Sequence, residues 1–148
     1  MLSGQLLLGT LMIAGTVVFH VTVLVYLAGS LRRLALIVEH LHTVVGTTCL
    51  ITTAVFIIIL IHTIEAWGWA ALFLYLGEFD ELKQALYFSV VTSTTLGYGD
   101  ITLSNEWQIL GTFEAMGGLI LFGTSTAFLL GLMRRLFEET SKNSEIKK

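Results

Sequence analysis

The sequence predicts an all-α membrane protein with three transmembrane helices and one short re-entrant helix. Three observations carry this. Hydrophobic residues make up 55% of the 148 residues and charged residues only 13%, where a soluble domain carries about 25% charged residues. The apolar residues gather in three long runs. There is no proline, so helices can run uninterrupted and turns fall to glycine. A mean hydropathy of +0.82 excludes intrinsic disorder and an ordinary soluble enzyme. The net charge of -3 offers no basic field to a polyanion, so no nucleic-acid partner is expected. The single cysteine, Cys49, has no internal disulfide partner and reads as a buried thiol in an apolar run.

The first run, Gln5 to Ser30, has no formal charge. It exceeds the about 20 residues that a span needs, is too long for a signal-peptide core, and no basic residue precedes it. It reads as an additional N-terminal transmembrane helix within residues 1–31, followed at once by Arg32 and Arg33. The second run starts near Leu41 and stays apolar to Leu76, broken only by His62 and Glu65. At 1.5 Å per residue it extends about 50 Å, so a long tilted helix is expected. Leu82 to Thr92 is semi-apolar and too short to span, the size of a re-entrant helix. The third run, Trp107 to Met133, contains one charge, Glu114. Trp107 fits an interfacial anchor. The main body therefore occupies 41–133, and 134–148 is a short polar tail headed by Arg134 and Arg135.

Orientation follows from the two arginine pairs, which should both face the cytoplasm. One span then places Met1 outside, and two spans return the chain to the same side. The loop between them falls outside and carries Glu78, Asp80, Glu81, Asp100 and Glu106 against Lys83. Charge and topology agree.

The segment Thr95-Leu96-Gly97-Tyr98-Gly99 carries the chemistry. Glycine accepts positive φ at little cost, so two alternating glycines let consecutive carbonyls point one way. One chain offers a ladder of oxygens, and four chains around an axis would offer square rings that replace the hydration shell of a large monovalent cation. The stretch Leu86-Tyr87-Phe88-Ser89-Val90-Val91-Thr92-Ser93-Thr94-Thr95-Leu96-Gly97-Tyr98-Gly99-Asp100 resembles the pore helix and selectivity filter of tetrameric potassium channels. The resemblance covers Val44 to Met133, in the order outer helix, pore helix, filter, inner helix. It implies a homotetramer of fourfold symmetry that passes K+ down its gradient. Carbonyls of Thr95, Leu96, Gly97 and Tyr98, with the Thr95 hydroxyl, would form the K+ sites. Gly99 completes the filter, and Asp100 would cap its outer mouth and brace it from behind. The resemblance implies no enzyme activity and no cofactor beyond permeant K+. Its partners would be further copies of the chain and membrane lipid, in a bacterial or archaeal plasma membrane. A poorly selective cation channel and a non-conducting accessory subunit are the rival readings.

The segment departs from the family pattern at four places. Leu96 stands where Val is commonest. Phe88 stands where many members have Trp and lacks the indole N–H that bonds the filter tyrosine. Val91 stands where some members have a carboxylate, and no proline follows Asp100.

On the third run, Gly118 with Gly123 is the best candidate for the glycine hinge of such inner helices; close packing by small residues is the other reading. By resemblance, Thr126 faces the water-filled cavity. Thr124 and Ser125 either line it or bond to their own helix. Leu119, Phe122 and Leu130 are wall candidates that lipid could equally cover.

His62 and Glu65 are three apart and share a helix face. With Glu114 they are buried polar candidates, either a pH-sensitive bracket or a hydrogen-bonded pair that fixes packing. Glu65 is expected to find its partner in His62 or in the pore-helix residues Ser89, Thr92 and Ser93. His62-x-x-Glu65 alone is a weak metal motif, because a zinc hydrolase wants two histidines and a glutamate at defined spacing. His20 reads as satisfied by a Ser or Thr neighbour, and His40 and His42 as near the cytoplasmic face. One of Trp67 and Trp69 should be buried against the pore helix. The first span has no Arg or Lys, so it is not a voltage sensor of the moving-arginine kind. The tail is expected to be too short for a ligand-gating domain, and either extends the inner helix or lies unstructured.

Overall fold

The computed structural model describes the backbone of residues 2–38 and 43–146, and side chains over 2–36 and 44–138. His40 and His42 lie outside the described residues. The described chain is all-helical: α1 Leu2–Val38, α2 Thr43–Tyr75, α3 Leu82–Ser93 and α4 Gln108–Ile146. Helices α1, α2 and α4 are long and apolar enough to cross a membrane.

Two helices outrun their apolar runs. α1 continues through Arg32 and Arg33 to Val38, and α4 through Arg134 and Arg135 to Ile146. Neither extension contains a proline, and a charge pair ends a span without ending a helix. α2 stops at a Schellman turn. Gly77 adopts φ 74°, its N–H donates to the Leu74 carbonyl at 3.0 Å, and the Glu78 N–H donates to Phe73 at 3.0 Å. The Glu78 carboxylate then accepts from both the Ser104 N–H (2.6 Å) and the Ser104 hydroxyl (2.7 Å). This ties the end of α2 to the start of α4.

Packing contacts give the helix directions. Gly9 meets Phe113 and Ile13 meets Gly117, while His20 meets Ser125. α1 and α4 therefore run parallel, with α2 antiparallel to both. Two apolar cores result. One gathers Trp69, Phe73, Phe79, Phe88 and Leu110 around α3; the other gathers Leu24, Leu27, Leu31, Leu50, Ala54 and Ile58 at the far end of α1 and α2. Trp69 is the tryptophan buried near α3, and Trp67 is half-exposed. Phe88 is the hub of the first core, edge-on to Phe73 at 5.2 Å and tilted against Phe79 at 5.4 Å. Such pairs contribute about 0.5–1.5 kcal/mol beyond area burial.

Gly118 sets how closely α4 approaches α3. A Cβ there would lie 2.0 Å from the Ser93 carbonyl oxygen, whereas nothing lies within 4 Å of one at Gly123. Gly118→Ala should therefore destabilise the protein by about 1–3 kcal/mol through overpacking. Gly123→Ala should be neutral or stabilising by up to about 1 kcal/mol, because alanine favours the helix. Melting of the purified variants in detergent gives the two signs.

Candidate functional site

The site begins where α3 ends. Thr94 caps the helix, its N–H donating to Val90 at 3.2 Å and its hydroxyl to the same carbonyl at 2.7 Å. The chain then reverses on one acceptor. The N–H groups of Leu96 and Gly97 both donate to the Val91 carbonyl, at 3.0 and 3.2 Å. φ is 59° at Thr95, 55° at Gly97 and 74° at Gly99, and negative at Leu96 and Tyr98 between them. Alternating φ of this kind turns successive peptide planes to a common side, amides to one face and carbonyls to the other. The glycines adopt it freely, but Thr95 is β-branched and strained there. In the single chain, residues 94–100 are all exposed.

Asp100 follows this segment. Its Oδ2 accepts from the Tyr87 hydroxyl at 2.7 Å, which ties the end of the segment to the middle of α3. Tyr87 lies within the motif, which by itself gives it no role. The available signal was its phenol, a donor next to Phe88, which has none.

The buried polar candidates divide into two groups. Ser89 on α3 has its hydroxyl between two acceptors, the Ala66 carbonyl at 2.8 Å and the Glu114 carboxyl. Glu65 instead meets His20 of α1, whose Nδ1 lies 2.9 Å from Oε1. His62 Nδ1 lies 3.2 Å from the other oxygen, Oε2. The Nε2 atoms of His20 and His62 both reach the Ser125 hydroxyl, at 3.0 and 3.1 Å. His62 is thus a neighbour of Glu65 as expected. The α3 hydroxyls of Ser89 and Ser93 are not: Ser89 is engaged with Ala66 and Glu114, and Ser93 bonds its own helix at Val90. The reason is α1, which packs against both α2 and α4 at this level and presents a fully buried imidazole.

On α4, Gly118 packs under Ser93 and Gly123 faces open space. Thr124 and Thr126 donate to their own helix, at Ile120 and Phe122, both at 2.9 Å. Thr126 is exposed in the single chain, as are Leu119, Phe122 and Leu130.

The Asp100 carboxylate holds the Tyr87 phenol above the ordinary tyrosine range, chiefly through their hydrogen bond. The raised value belongs to the protonated phenol. The tie is therefore intact below the ordinary tyrosine pKa and is lost as pH rises through the raised one. Subtracting the ultraviolet titration of Tyr87→Phe from that of the native protein should isolate a phenol with a high midpoint, and Asp100→Asn should lower that midpoint.

No curated protein and no solved structure matches the chain. A family model described as "Ion channel", Ion_trans_2, matches residues 47–135, more than half of the chain. The matched stretch runs from α2 through α3 and the 94–100 segment to Arg135 on α4, and leaves out α1. This is a family of channels and not of enzymes, and the chain belongs to it.

Proposed function

We propose that the chain is one subunit of a homotetrameric potassium-selective channel, with α3 as a re-entrant pore helix and residues 95–99 as its filter. The observation that carries this reading is the alternating φ at Thr95, Gly97 and Gly99, with the Leu96 and Gly97 amides turned back to Val91. Those amides are occupied on the α3 side, which leaves the carbonyls on the other. A single exposed strand cannot enclose an ion. Four copies around an axis make rings of oxygens from Thr95, Leu96, Gly97 and Tyr98, and these take the place of the water around K+. The reaction is passive transfer of the ion between such rings, down its gradient. Asp100, held by Tyr87, braces the outer end.

α1 and α4 point the same way, so both begin on the side from which the filter opens. With the arginine pairs in the cytoplasm, that side is outside. The exposed apolar faces of α1, α2 and α4 are then shared between lipid and neighbouring subunits.

Gly97→Ala tests the filter. Within its own chain a Cβ at Gly97 meets nothing within 4 Å, so there the substitution acts on φ, at about 1–2 kcal/mol for each left-handed residue. The variant should fold and assemble, yet lose conduction or its preference for potassium over sodium. Normal selectivity in that variant refutes the filter assignment. For the native channel in vesicles, a bi-ionic reversal potential that follows potassium supports the proposal. A reversal potential indifferent to sodium replacement points to a poorly selective cation pore, and absence of current in any condition to a non-conducting accessory subunit.

Orientation is tested with single cysteines in a protein lacking Cys49. A reporter at Ser3 or Glu78 should react with an impermeant reagent applied to intact cells, and one at Ser144 should not. Labelling at Ser144 reverses the topology.

A further inference from the structure

Ion conduction through the 95–99 segment gives the layer formed by His20, His62, Glu65 and Ser125 no task. One ligand-type atom from each of His20, His62 and Glu65 lies within 4.8 Å of the others. The two Nδ1 atoms stand 2.9 and 3.2 Å from the two Glu65 oxygens. Two ligands on one tetrahedral zinc, each at 2.0–2.1 Å, are about 3.3 Å apart. Glu65 Oε2 also has no hydrogen-bond partner, although His62 Nδ1 is its neighbour at 3.2 Å. His20 Nδ1 and Oε1 are in hydrogen-bond geometry, whereas His62 Nδ1 and Oε2 are close without a hydrogen bond between them, a relation that ligands sharing a cation have.

The remaining ring nitrogens supply a second, independent observation. Both Nε2 atoms reach the hydroxyl of Ser125 on α4, at 3.0 and 3.1 Å. An oxygen has two lone pairs and can accept both N–H groups. With each ring proton on Nε2 the two Nδ1 lone pairs are free, which is the outer-shell support typical of metal-binding histidines; with a proton on His20 Nδ1 the same atoms form a hydrogen bond to Glu65. The His62 ring is further fixed by stacking on Phe122, centroids 4.1 Å apart and planes 16° from parallel. In the metal-ready tautomer, three electron-rich atoms within 4.8 Å of one another in a buried layer would be offset by a cation among them.

We propose that His20, His62 and Glu65 bind one divalent transition-metal ion through the two Nδ1 atoms and the carboxylate, with Ser125 orienting both rings. Two imidazoles and a carboxylate suit zinc and not magnesium or calcium, which take oxygen ligands. The fourth position falls to water. A chamber of about 20 Å³ beside the cluster is lined by His62, Glu65 and Glu114, enough for one molecule. Glu65 and Glu114 both line it, and each has a buried carboxyl oxygen without a hydrogen-bond partner. The ligands come from α1 and α2 and the support from α4. The ion would therefore fasten the helix outside the family match to the two that belong to it.

The test uses the full-length protein in detergent, stripped with a chelator, reloaded with zinc or cobalt(II) and desalted. About one zinc per chain should be retained, the cobalt form should show the intense visible bands of a tetrahedral site, and zinc should raise the melting temperature. His20→Gln, His62→Gln and Glu65→Gln should each lose the cobalt bands, while Leu130→Ala, remote from the cluster, keeps them. A native protein that retains no zinc and leaves cobalt with the weak spectrum of its aquo ion overturns the proposal whether or not any variant folds. Undiminished binding with the same cobalt spectrum in His20→Gln overturns it as well. Either result leaves the cluster as a hydrogen-bonded clamp held by protons. Metal retention is read without ion flux, so its failure and failure of the pore assignment are distinguishable.

Discussion

Glu65 cannot be left unpartnered in a helix as apolar as α2. A carboxyl group in that setting must be met by polar groups or lose several kcal/mol. In this fold it is met from outside α2, by His20 of α1, and through the two imidazoles by Ser125 of α4. One polar layer thus sets the relative height of three helices whose apolar surfaces would otherwise slide past one another at little cost. Hydrophobic burial is non-directional and gives no register; hydrogen bonds between single side chains do. The two apolar cores lie on opposite sides of this layer, and each is made of residues that the layer has already brought level.

α3 is seated by different means. Ser89 binds the Ala66 carbonyl of α2 and the Glu114 carboxyl of α4, Phe88 fills the aromatic cluster, and Gly118 lets the Ser93 carbonyl rest on α4. Three contacts on three sides of a twelve-residue helix fix where its C-terminus points. The 95–99 segment inherits that direction, because its Thr95 amide bonds back to Thr92 and its Leu96 and Gly97 amides to Val91, inside the last turn. Strain at Thr95, a β-branched residue at φ 59°, persists only because the surrounding bonds over-determine it. The aromatic position that lacks an indole N–H is not a weakness here. Phe88 serves packing, and the tie from α3 to the end of the 94–100 segment passes instead through Tyr87 and Asp100.

Helix number, the short third helix and the order of elements were legible in the sequence, because hydropathy and length act locally. The same holds for the 95–99 segment, whose alternating glycines predict positive φ at Gly97 and Gly99; Thr95 carries no such sign. Helix ends were less legible. The arginine pairs mark where apolar character stops, and the backbone runs on past both. The His20–Glu65 contact was not legible, and the reason is physical. α1 and α2 are apolar on all sides, so neither has an amphipathic face from which to read which residues turn inward. A pair 45 residues apart on two such helices leaves no periodic trace. His62-x-x-Glu65 exposed two members of the cluster, and the third had to come from the packing.

Ser125 has a consequence for motion along α4. It receives an imidazole from α1 and another from α2, so displacement of α4 at this level breaks two hydrogen bonds between buried groups. Each such loss costs about 1–3 kcal/mol when the partners stay dry. Toward the N-terminus of α4, Gly118 is held under Ser93 and Glu114 under Ser89, so the stretch from 114 to 125 is fixed at several points to the other helices. Beyond Ser125, α4 makes apolar contacts through Phe128, Leu129 and Leu132, and apolar contacts tolerate sliding. Gly131, on this side, has nothing within 4 Å of a would-be Cβ. Gly118, the position that family resemblance favours as a hinge, is the most tightly held glycine of the helix.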